Sequence, residues 1–97
     1  MYARQTTFII KRDKNEEAVS IYKNKVVPEA EKQKGFKGAL FLSNKNNSKF
    51  ISLTLWESID DAVENVKSGY FQAQLDKFDE IVVDTPEKED FSVELRV

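Results

Sequence analysis

Four residues of this chain could orient a small planar molecule: Tyr22, Ser52, Thr54 and Trp56. Tyr22 falls on the apolar face of a predicted helix and offers a phenolic hydroxyl. Ser52 and Thr54 alternate along a predicted strand that ends at Trp56, so all three side chains project from one face of that strand. Hydroxyl groups can donate hydrogen bonds to a developing oxyanion, and an indole ring can stack on an aromatic ligand.

Each of these residues also has a purely structural interpretation. A large aromatic residue at the end of a strand, such as Trp56, is commonly a core anchor. A tyrosine on an apolar helix face, such as Tyr22, is commonly a core residue with its oxygen at the edge. The hydroxyls of Ser52 and Thr54 could equally lie in a sheet interface between two subunits. The residues alone leave these alternatives open.

The composition excludes several classes of catalytic site. The chain contains no cysteine and no histidine, which removes thiolate nucleophiles, the usual general base at neutral pH and the usual proximal haem ligand. Asp60 and Asp61 are a poor acid–base or metal pair, because adjacent helical residues point apart. We find no phosphate-binding loop and no Ser/His/Asp set. The sequence therefore predicts no metal and no cofactor.

Charge and length limit the partners and the location. The formal net charge of −2 gives no electrostatic case for nucleic acid or for an anionic membrane. The 97 residues predict a single domain, 1–97, whose core is thin enough that a partner chain would help. No apolar run approaches the roughly 20 residues of a membrane span, and the N-terminus lacks an apolar signal core. A cytoplasmic location is the default expectation.

The first half of the chain predicts a strand, a helix and a hairpin. Residues 3–12 alternate as a strand, after which Asp13 is a candidate N-cap with Glu16 closing a capping box. The helix is expected to continue to residue 34, with Pro28 bending it or separating two helical pieces. Gly35 is the predicted stop. Residues 36–43 and 50–56 then predict two strands joined by the polar turn 44–48.

The second half predicts a helical region and a last strand. Ser58 is a candidate N-cap for a helix that Ser68 and Gly69 interrupt. The apolar run 81–83 is followed by a charged segment, 86–90, that we interpret as a surface loop. Residues 91–97 alternate between apolar and polar and predict a half-buried strand.

This order, βαββαβ, predicts a ferredoxin-like α+β fold with both helices on one face of an antiparallel sheet. Residue parity divides the apolar strand residues into two sets. One set is Phe8, Ile10, Phe36, Leu40, Leu42, Ile51, Leu53 and Leu55; the other is Ile9, Ala39, Phe41, Phe50 and Trp56. Two helices can cover only one face, so a homodimer formed through the uncovered face is expected.

Three short motifs resemble the antibiotic biosynthesis monooxygenase family. They are Gly35-Phe36-Lys37-Gly38, Leu53-Thr54-Leu55-Trp56-Glu57-Ser58 and Ser68-x-x-Phe71. The resemblance covers nearly the whole chain and implies a dimeric α+β barrel. It indicates the fold more strongly than the activity, because the shared glycines, aromatic residues and cap are structural.

The haem-degrading branch of that family is similar between residues 56 and 73 but differs at its functional positions. That branch uses an Asn on strand one, a Trp nine residues after the strand-three Trp, and a His ten residues later. This chain has Thr6 or Thr7, Asn65 and Leu75 there. The resemblance makes Asn65 a further pocket candidate, although a solvated Asn is the expected interpretation. No haem is expected.

The cofactor-free branch oxidises electron-rich phenols with O₂ and uses Asn, Trp and Tyr around a sheet–helix pocket. Ser52 stands where that branch has its Asn, four residues before Trp56. The resemblance therefore implies a cofactor-independent monooxygenase acting on a small aromatic or quinol-like molecule with O₂. The alternative is a non-catalytic dimeric small-molecule-binding or stress-response module on the same fold.

Overall fold

The computed structural model describes residues 1–97 as a four-stranded antiparallel sheet with helices packed on one face. The strands are β1 (Tyr2–Ile9), β2 (Phe36–Asn44), β3 (Lys49–Trp56) and β4 (Glu87–Ser92), in the sheet order β2-β3-β1-β4. The helices are α1 (Asn15–Ile21), α2 (Val27–Ala30), α3 (Ile59–Lys67) and α4 (Tyr70–Asp76). The predicted ferredoxin-like α+β fold is confirmed. None of the helices combines the length and the hydrophobicity that crossing a membrane requires.

The predicted capping box at Asp13 is wrong. Residues Arg12–Lys14 form a 3₁₀ turn, and α1 begins only at Asn15, without a side-chain cap. The amide of Lys14 donates to the carbonyl of Lys11 at 2.9 Å, which closes that turn. Asp13 therefore lies inside the turn and is not available as an N-cap.

Pro28 lies where the helix is divided, as the sequence predicts. A π-helical segment, Tyr22–Val26, joins α1 to α2, and the amide of Val27 donates to the carbonyl of Tyr22, five residues back. Pro28 then falls at the second position of α2 and, having no N–H, donates no hydrogen bond back into the π-helical segment. The buried residues of the whole region are spaced by four: Ala18, Tyr22, Val26 and Ala30. An unbroken α-helix has 3.6 residues per turn and would rotate this series off one face, so the wider π turn keeps Tyr22 directed at the sheet.

The predicted helix end is wrong: α2 ends at Ala30, and a turn segment rather than helix leads from there to Gly35. The φ of Gly35, +80°, lies in the left-handed region, where residues with a Cβ are strained. A Cβ at this position would also collide with the side chain of Asp61. The carbonyl of Gly35 accepts a hydrogen bond from the amide of Glu57 at 2.7 Å. Gly35 therefore lets the chain enter β2 in close contact with the start of α3.

The division of strand residues between the two sheet faces corrects the prediction from parity. Phe8 pairs with Phe50 across the sheet, so Phe8 and Ile10 share the face of β3 that carries Trp56, and Ile9 lies on the opposite face. Parity within one strand does not set the register between strands, which the pairing decides. The sheet face predicted for Phe36 is also wrong. A β-bulge between Phe36 and Gly38 reverses its direction, and it packs against Trp56 with ring centroids 5.8 Å apart.

The core lies between the helices and the face that carries Phe8. Its buried members come from every layer: Phe8, Ile10, Ala18, Tyr22, Val26, Phe50, Phe78 and Ile81. The opposite face has no covering element and exposes 55% of Leu40 and 48% of Leu42. Ile51, Leu53 and Leu55 lie on the same face and are half-buried. One apolar face of the sheet is therefore left open, as the sequence predicts.

The last strand differs from the prediction in its position and burial. β4 covers Glu87–Ser92, which includes most of the charged segment that we interpreted as a loop, and all its residues are exposed. It pairs with β1, with Tyr2 opposite Ser92 and Thr7 opposite Glu87. The backbone hydrogen-bonding groups at the edge of β1 decide this pairing, and charged residues suit an edge strand. Of the alternating apolar residues beyond it, Val93 is half-buried and Leu95 is 81% exposed.

Candidate functional site

A narrow cavity of about 40 Å³ lies between the covered sheet face and the helices. Of the 14 residues that line it, nine are hydrophobic, and none is an aspartate or a glutamate. Its polar lining consists of Arg4, Thr6, Ser52, Thr54 and Gln74, together with the hydroxyls of Tyr22 and Tyr70. A free volume of about 40 Å³ can hold a water molecule but is far below the 300–1,000 Å³ of typical ligand pockets.

Tyr22 and Ser52 meet in this cavity. The π-helical segment directs Tyr22 at the middle of β3, where its hydroxyl oxygen lies 2.8 Å from Ser52 Oγ. The Tyr22 ring stacks on Phe41, with centroids 4.1 Å apart and planes inclined by 3°. Burial raises the pKa of Tyr22, against the smaller opposing effects of the Ser52 hydrogen bond and the Arg4 charge. The hydroxyl therefore keeps its proton at neutral pH and can donate a hydrogen bond.

Thr54 and Trp56 form the second polar pair of the lining. Trp56 Nε1 donates to Thr54 Oγ1 at 3.0 Å, and the indole is 1% exposed. The indole is therefore as buried as a core anchor, and it also lines the cavity. Its N–H is already bonded within the protein, so only the ring surface is available to a ligand.

Arg4 is a site residue that the sequence analysis missed. The residue is 3% exposed, and its guanidinium carbon lies 4.8 Å from the Trp56 ring centroid and 4.7 Å from that of Phe71. Nη2 donates to Asn65 Oδ1 at 2.8 Å, whereas the buried Nη1 has no hydrogen-bond partner. Desolvation lowers the pKa of Arg4, and the negative charge of Asp90 partly opposes this effect. Arg4 has the same parity as Phe8 in the sequence, but only the pairing of β1 with β3 shows that this strand face enters the core.

The expectation that Asn65 is solvated is wrong. Asn65 is only 6% exposed, since Arg4 and Gln33 occupy both ends of its amide. Its Oδ1 accepts from Arg4, and its Nδ2 donates to Gln33 Oε1 at 3.0 Å. Asn65 does not line the cavity itself. It contributes by holding one side of the Arg4 guanidinium.

A hydrogen-bonded cluster closes the cavity between α2 and α4. Gln74 Nε2 donates to Glu29 Oε2 at 2.8 Å, and Lys77 Nζ lies 2.8 Å from the same oxygen. Tyr70, at the start of α4, also lines the cavity, and burial raises its pKa to about 12. Glu29 and Lys77 form an ion pair outside the lining, so neither charge enters the cavity.

The five sequence candidates therefore fall in one region. Tyr22, Ser52, Thr54 and Trp56 line the cavity, and Asn65 reaches it through Arg4. The arrangement can exclude water, stack an aromatic ring and donate hydrogen bonds to an oxygen atom. No cluster of three or more carboxylates is placed to bind a metal ion.

Solved structures of other proteins share this fold. A monooxygenase from the gene ActVA-Orf6 of Streptomyces coelicolor, in complex with the ligand Nanaomycin D, matches with a TM-score of 0.81 and 14% identity, over 99% of this chain and 89% of that one. SnoaB, a cofactor-independent oxygenase from Streptomyces nogalater, matches with a TM-score of 0.73 and 12% identity, over 99% and 95%. A conserved protein from Methanosarcina mazei Go1 matches with a TM-score of 0.75 and 16% identity, over 94% and 91%. At these identities the likeness establishes the fold alone.

The sequence itself carries the family assignment. No curated protein matches the chain in a sequence search. The family model described as antibiotic biosynthesis monooxygenase matches residues 1–77, which include β1 to β3 and all four helices. The motifs that suggested this resemblance lie within the matched region. The chain belongs to the antibiotic biosynthesis monooxygenase family.

Proposed function

We propose that this protein is a cofactor-independent monooxygenase that oxidises a small aromatic or quinol-like molecule with O₂. The observation that carries the proposal is the Tyr22–Ser52 hydroxyl pair inside an apolar cavity that no carboxylate enters. Family membership supports the reaction class, and SnoaB is a structural neighbour described as a cofactor-independent oxygenase. The substrate class is supported by the aromatic lining, and the Streptomyces coelicolor neighbour, which holds the ligand Nanaomycin D, supports a ligand site on this fold.

The proposed chemistry needs little from the protein beyond binding and orientation. An anthrone-type substrate gives a proton to water and becomes a carbanion, which reduces O₂ to a carbon-bound hydroperoxide. The O–O bond of the hydroperoxide then breaks with loss of water, so the CH₂ group becomes C=O and the second oxygen atom of O₂ leaves as H₂O. Within the Tyr22–Ser52 pair one hydroxyl donates to the other, and the second would donate its own proton to the substrate oxygen as that oxygen gains negative charge. Trp56 would present its ring surface to the aromatic system. Thr54 orients that ring through its bond to Nε1.

The present cavity must widen before a bicyclic or tricyclic ligand can enter. Its free volume of about 40 Å³ has to grow several-fold to reach the usual range of ligand pockets. The wall formed by α4 is the natural moving part, since α4 is a short helix of seven residues. Its polar ties to α2 are the Gln74–Glu29 hydrogen bond and the Lys77–Glu29 ion pair, both at the border of the cavity.

The lining contains no carboxylate and no histidine that could act as a general base, and this observation favours the second candidate, a non-catalytic binding module. A module of that kind would bind its ligand without consuming O₂. The two candidates make opposite predictions for oxygen uptake, and the same assay separates them.

We propose that the protein forms a homodimer through the open sheet faces. Leu40 and Leu42 are about half exposed on that face, with Ile51, Leu53 and Leu55 beside them. Exposed apolar patches of this kind usually mark a partner surface. A second copy of the sheet presents the same residues and is the simplest complement.

Oxygen uptake by protein treated with a strong chelator tests the function. The substrates are dihydroxynaphthalenes and anthrones, each compared with its rate of oxidation in buffer alone. Uptake that the protein accelerates without added flavin or metal is the expected result. Uptake that requires flavin or iron would exclude the cofactor-independent mechanism, and no acceleration with any substrate would favour the binding module.

A further inference from the structure

The cavity has one charged side chain in its lining, and that charge is incompletely satisfied. Arg4 is the only lysine, arginine, aspartate or glutamate among the 14 lining residues. Its Nη1 is buried without a hydrogen-bond partner, in a residue that is 3% exposed. A buried donor left unpaired destabilises the folded protein, and more so when the group is charged. The unpaired donor therefore needs an acceptor that the protein itself does not supply.

The rest of the guanidinium is held in place. Asn65 accepts from Nη2 at 2.8 Å, and the rings of Trp56 and Phe71 lie on the guanidinium at 4.8 and 4.7 Å. The hydrogen bond and the ring contacts together fix the plane of the guanidinium, and the cation–π contacts favour its charged form. An acceptor that binds at Nη1 thus meets a donor that is already oriented, and little conformational entropy is lost on binding.

The charges around Arg4 favour a negatively charged acceptor. The acid whose charge acts on Arg4 is Asp90 on β4, which lies outside the cavity lining and forms an ion pair with Lys88. The other polar groups of the lining are hydroxyls and an amide, which carry no charge. A neutral ligand would leave the buried cation without a counter-charge, whereas an anionic oxygen would form a charge-assisted hydrogen bond.

We propose that Arg4 binds a negatively charged oxygen attached to the aromatic ligand, so that the cavity selects the anionic form of its substrate. This inference rests on the proposed function for the identity of the cavity as the ligand site. The oxygen is either a phenolate, formed from a hydroxyl of the substrate, or a ring carboxylate. For a phenolate, the same contact holds the substrate in the electron-rich form that reacts with O₂.

Two pairs of probes distinguish these sources of the anion. The first pair is 2-naphthol and 2-methoxynaphthalene, and the second is 2-naphthoate and its methyl ester. Binding to the wild-type protein is measured at neutral pH by fluorescence, and the absorption of bound 2-naphthol reports whether it has lost its proton. We expect at least one anion to bind roughly 10- to 100-fold more tightly than its neutral partner, since hydrogen bonds to charged groups are worth about 1.5–3 kcal/mol.

Variants of Arg4 assign this preference to the guanidinium. Arg4→Met keeps an unbranched side chain between Trp56 and Phe71 and removes the charge, so it should bind the anion and the neutral partner equally. Arg4→Lys keeps the charge and should retain part of the preference. A matched control, Arg12→Met, changes an exposed arginine of the 3₁₀ turn and should retain all of it.

The wild-type comparison decides the inference even if Arg4→Met does not fold. Equal affinity for both members of each pair, or no measurable binding of either anion, overturns it. An unchanged preference in folded Arg4→Met overturns it as well. Anion-selective binding without oxygen uptake upholds the role of Arg4 and contradicts the oxygenase. Oxygen uptake with equal binding of anion and neutral partner contradicts the role of Arg4 and upholds the oxygenase.

Discussion

The hydroxyl oxygens of Tyr22 and Ser52 lie 2.8 Å apart and connect the π-helical segment to the middle of β3. Both residues are buried, and the contact links positions 30 residues apart in the chain. The bond depends on the π turn, because that turn keeps Tyr22 on the face of the helical region that packs on the sheet. The proposed oxyanion donors are therefore positioned by the irregularity that accompanies Pro28.

Removing either hydroxyl of the Tyr22–Ser52 pair should lower the stability of the protein. We expect Tyr22→Phe and Ser52→Ala each to lower the free energy of unfolding by about 1–3 kcal/mol, because each leaves a buried partner unpaired. The double variant should cost less than the sum of the two single variants, since it leaves no unpaired partner. Urea denaturation of the four proteins measures this coupling.

Turnover separates a donor role from a structural role at these two positions. If either hydroxyl stabilises developing charge on the substrate, its loss should slow oxygen uptake on the order of 10²-fold at substrate saturation. Ser43→Ala, on an exposed residue of β2, is the control and should change neither quantity. Full activity in a destabilised Tyr22→Phe would assign the hydroxyl to stability alone.

Much of this site could be predicted from residue spacing, but its central charge could not. The alternation 52, 54, 56 correctly placed Ser52, Thr54 and Trp56 on one face, because all three lie within one strand. The assignment of Phe8 and Ile9 failed, because it needed the register between β1 and β3. Arg4 was missed for the same reason: a cation near the N-terminus is ordinarily exposed, and only pairing opposite Thr54 shows that it enters the core.

Helix ends and the last strand illustrate two other limits of sequence patterns. Asp13 and Glu16 have the spacing of a capping box, yet a 3₁₀ turn occupies that position. The alternating segment 91–97 carried a stronger strand pattern than the charged residues of β4. Pairing with the free edge of β1 overrode the pattern, because the backbone hydrogen bonds of an edge strand do not require apolar side chains.

Gly35→Ala should destabilise the protein more than Gly69→Ala. Both glycines have positive φ, +80° and +90°, so both variants incur a backbone cost of about 1–2 kcal/mol. Only at Gly35 would the added Cβ also collide with Asp61, while nothing lies within 4 Å of a Cβ at Gly69. Melting temperatures of the two variants provide the comparison. Equal losses would show that Asp61 moves away without cost.

The free energy of unfolding should fall as the pH rises from about 10 to about 12. Burial raises the pKa of Tyr70 to about 12 in the folded state, while an unfolded tyrosine has a pKa near 10. Below pH 10 the tyrosine is protonated in both states and contributes no pH dependence. Above it the unfolded state loses its proton first, so it binds fewer protons than the folded state, and stability declines. Tyr70→Phe should show a shallower decline in denaturation curves collected across this range; an unchanged slope would contradict the assignment.

Substituting the open sheet face should dissociate the proposed dimer. Leu42→Glu places a charge on that face, whereas Val19→Glu places one on α1, and the two parent residues are 48% and 49% exposed. We expect Leu42→Glu to sediment as a monomer at micromolar concentration and Val19→Glu to sediment as the wild-type dimer. A wild-type protein that is monomeric and stably folded would contradict the proposed pairing.

Labelling with ¹⁸O₂ tests the central claim most directly. Chelator-treated protein without flavin is given an anthrone under ¹⁸O₂, and the mass of the quinone product is measured after short reaction times, with the reaction in buffer alone subtracted. A monooxygenase of the proposed kind predicts one ¹⁸O atom in each new carbonyl group and a rate that depends on the Tyr22–Ser52 pair. Product that carries no ¹⁸O, or that forms no faster than in buffer, would contradict the account.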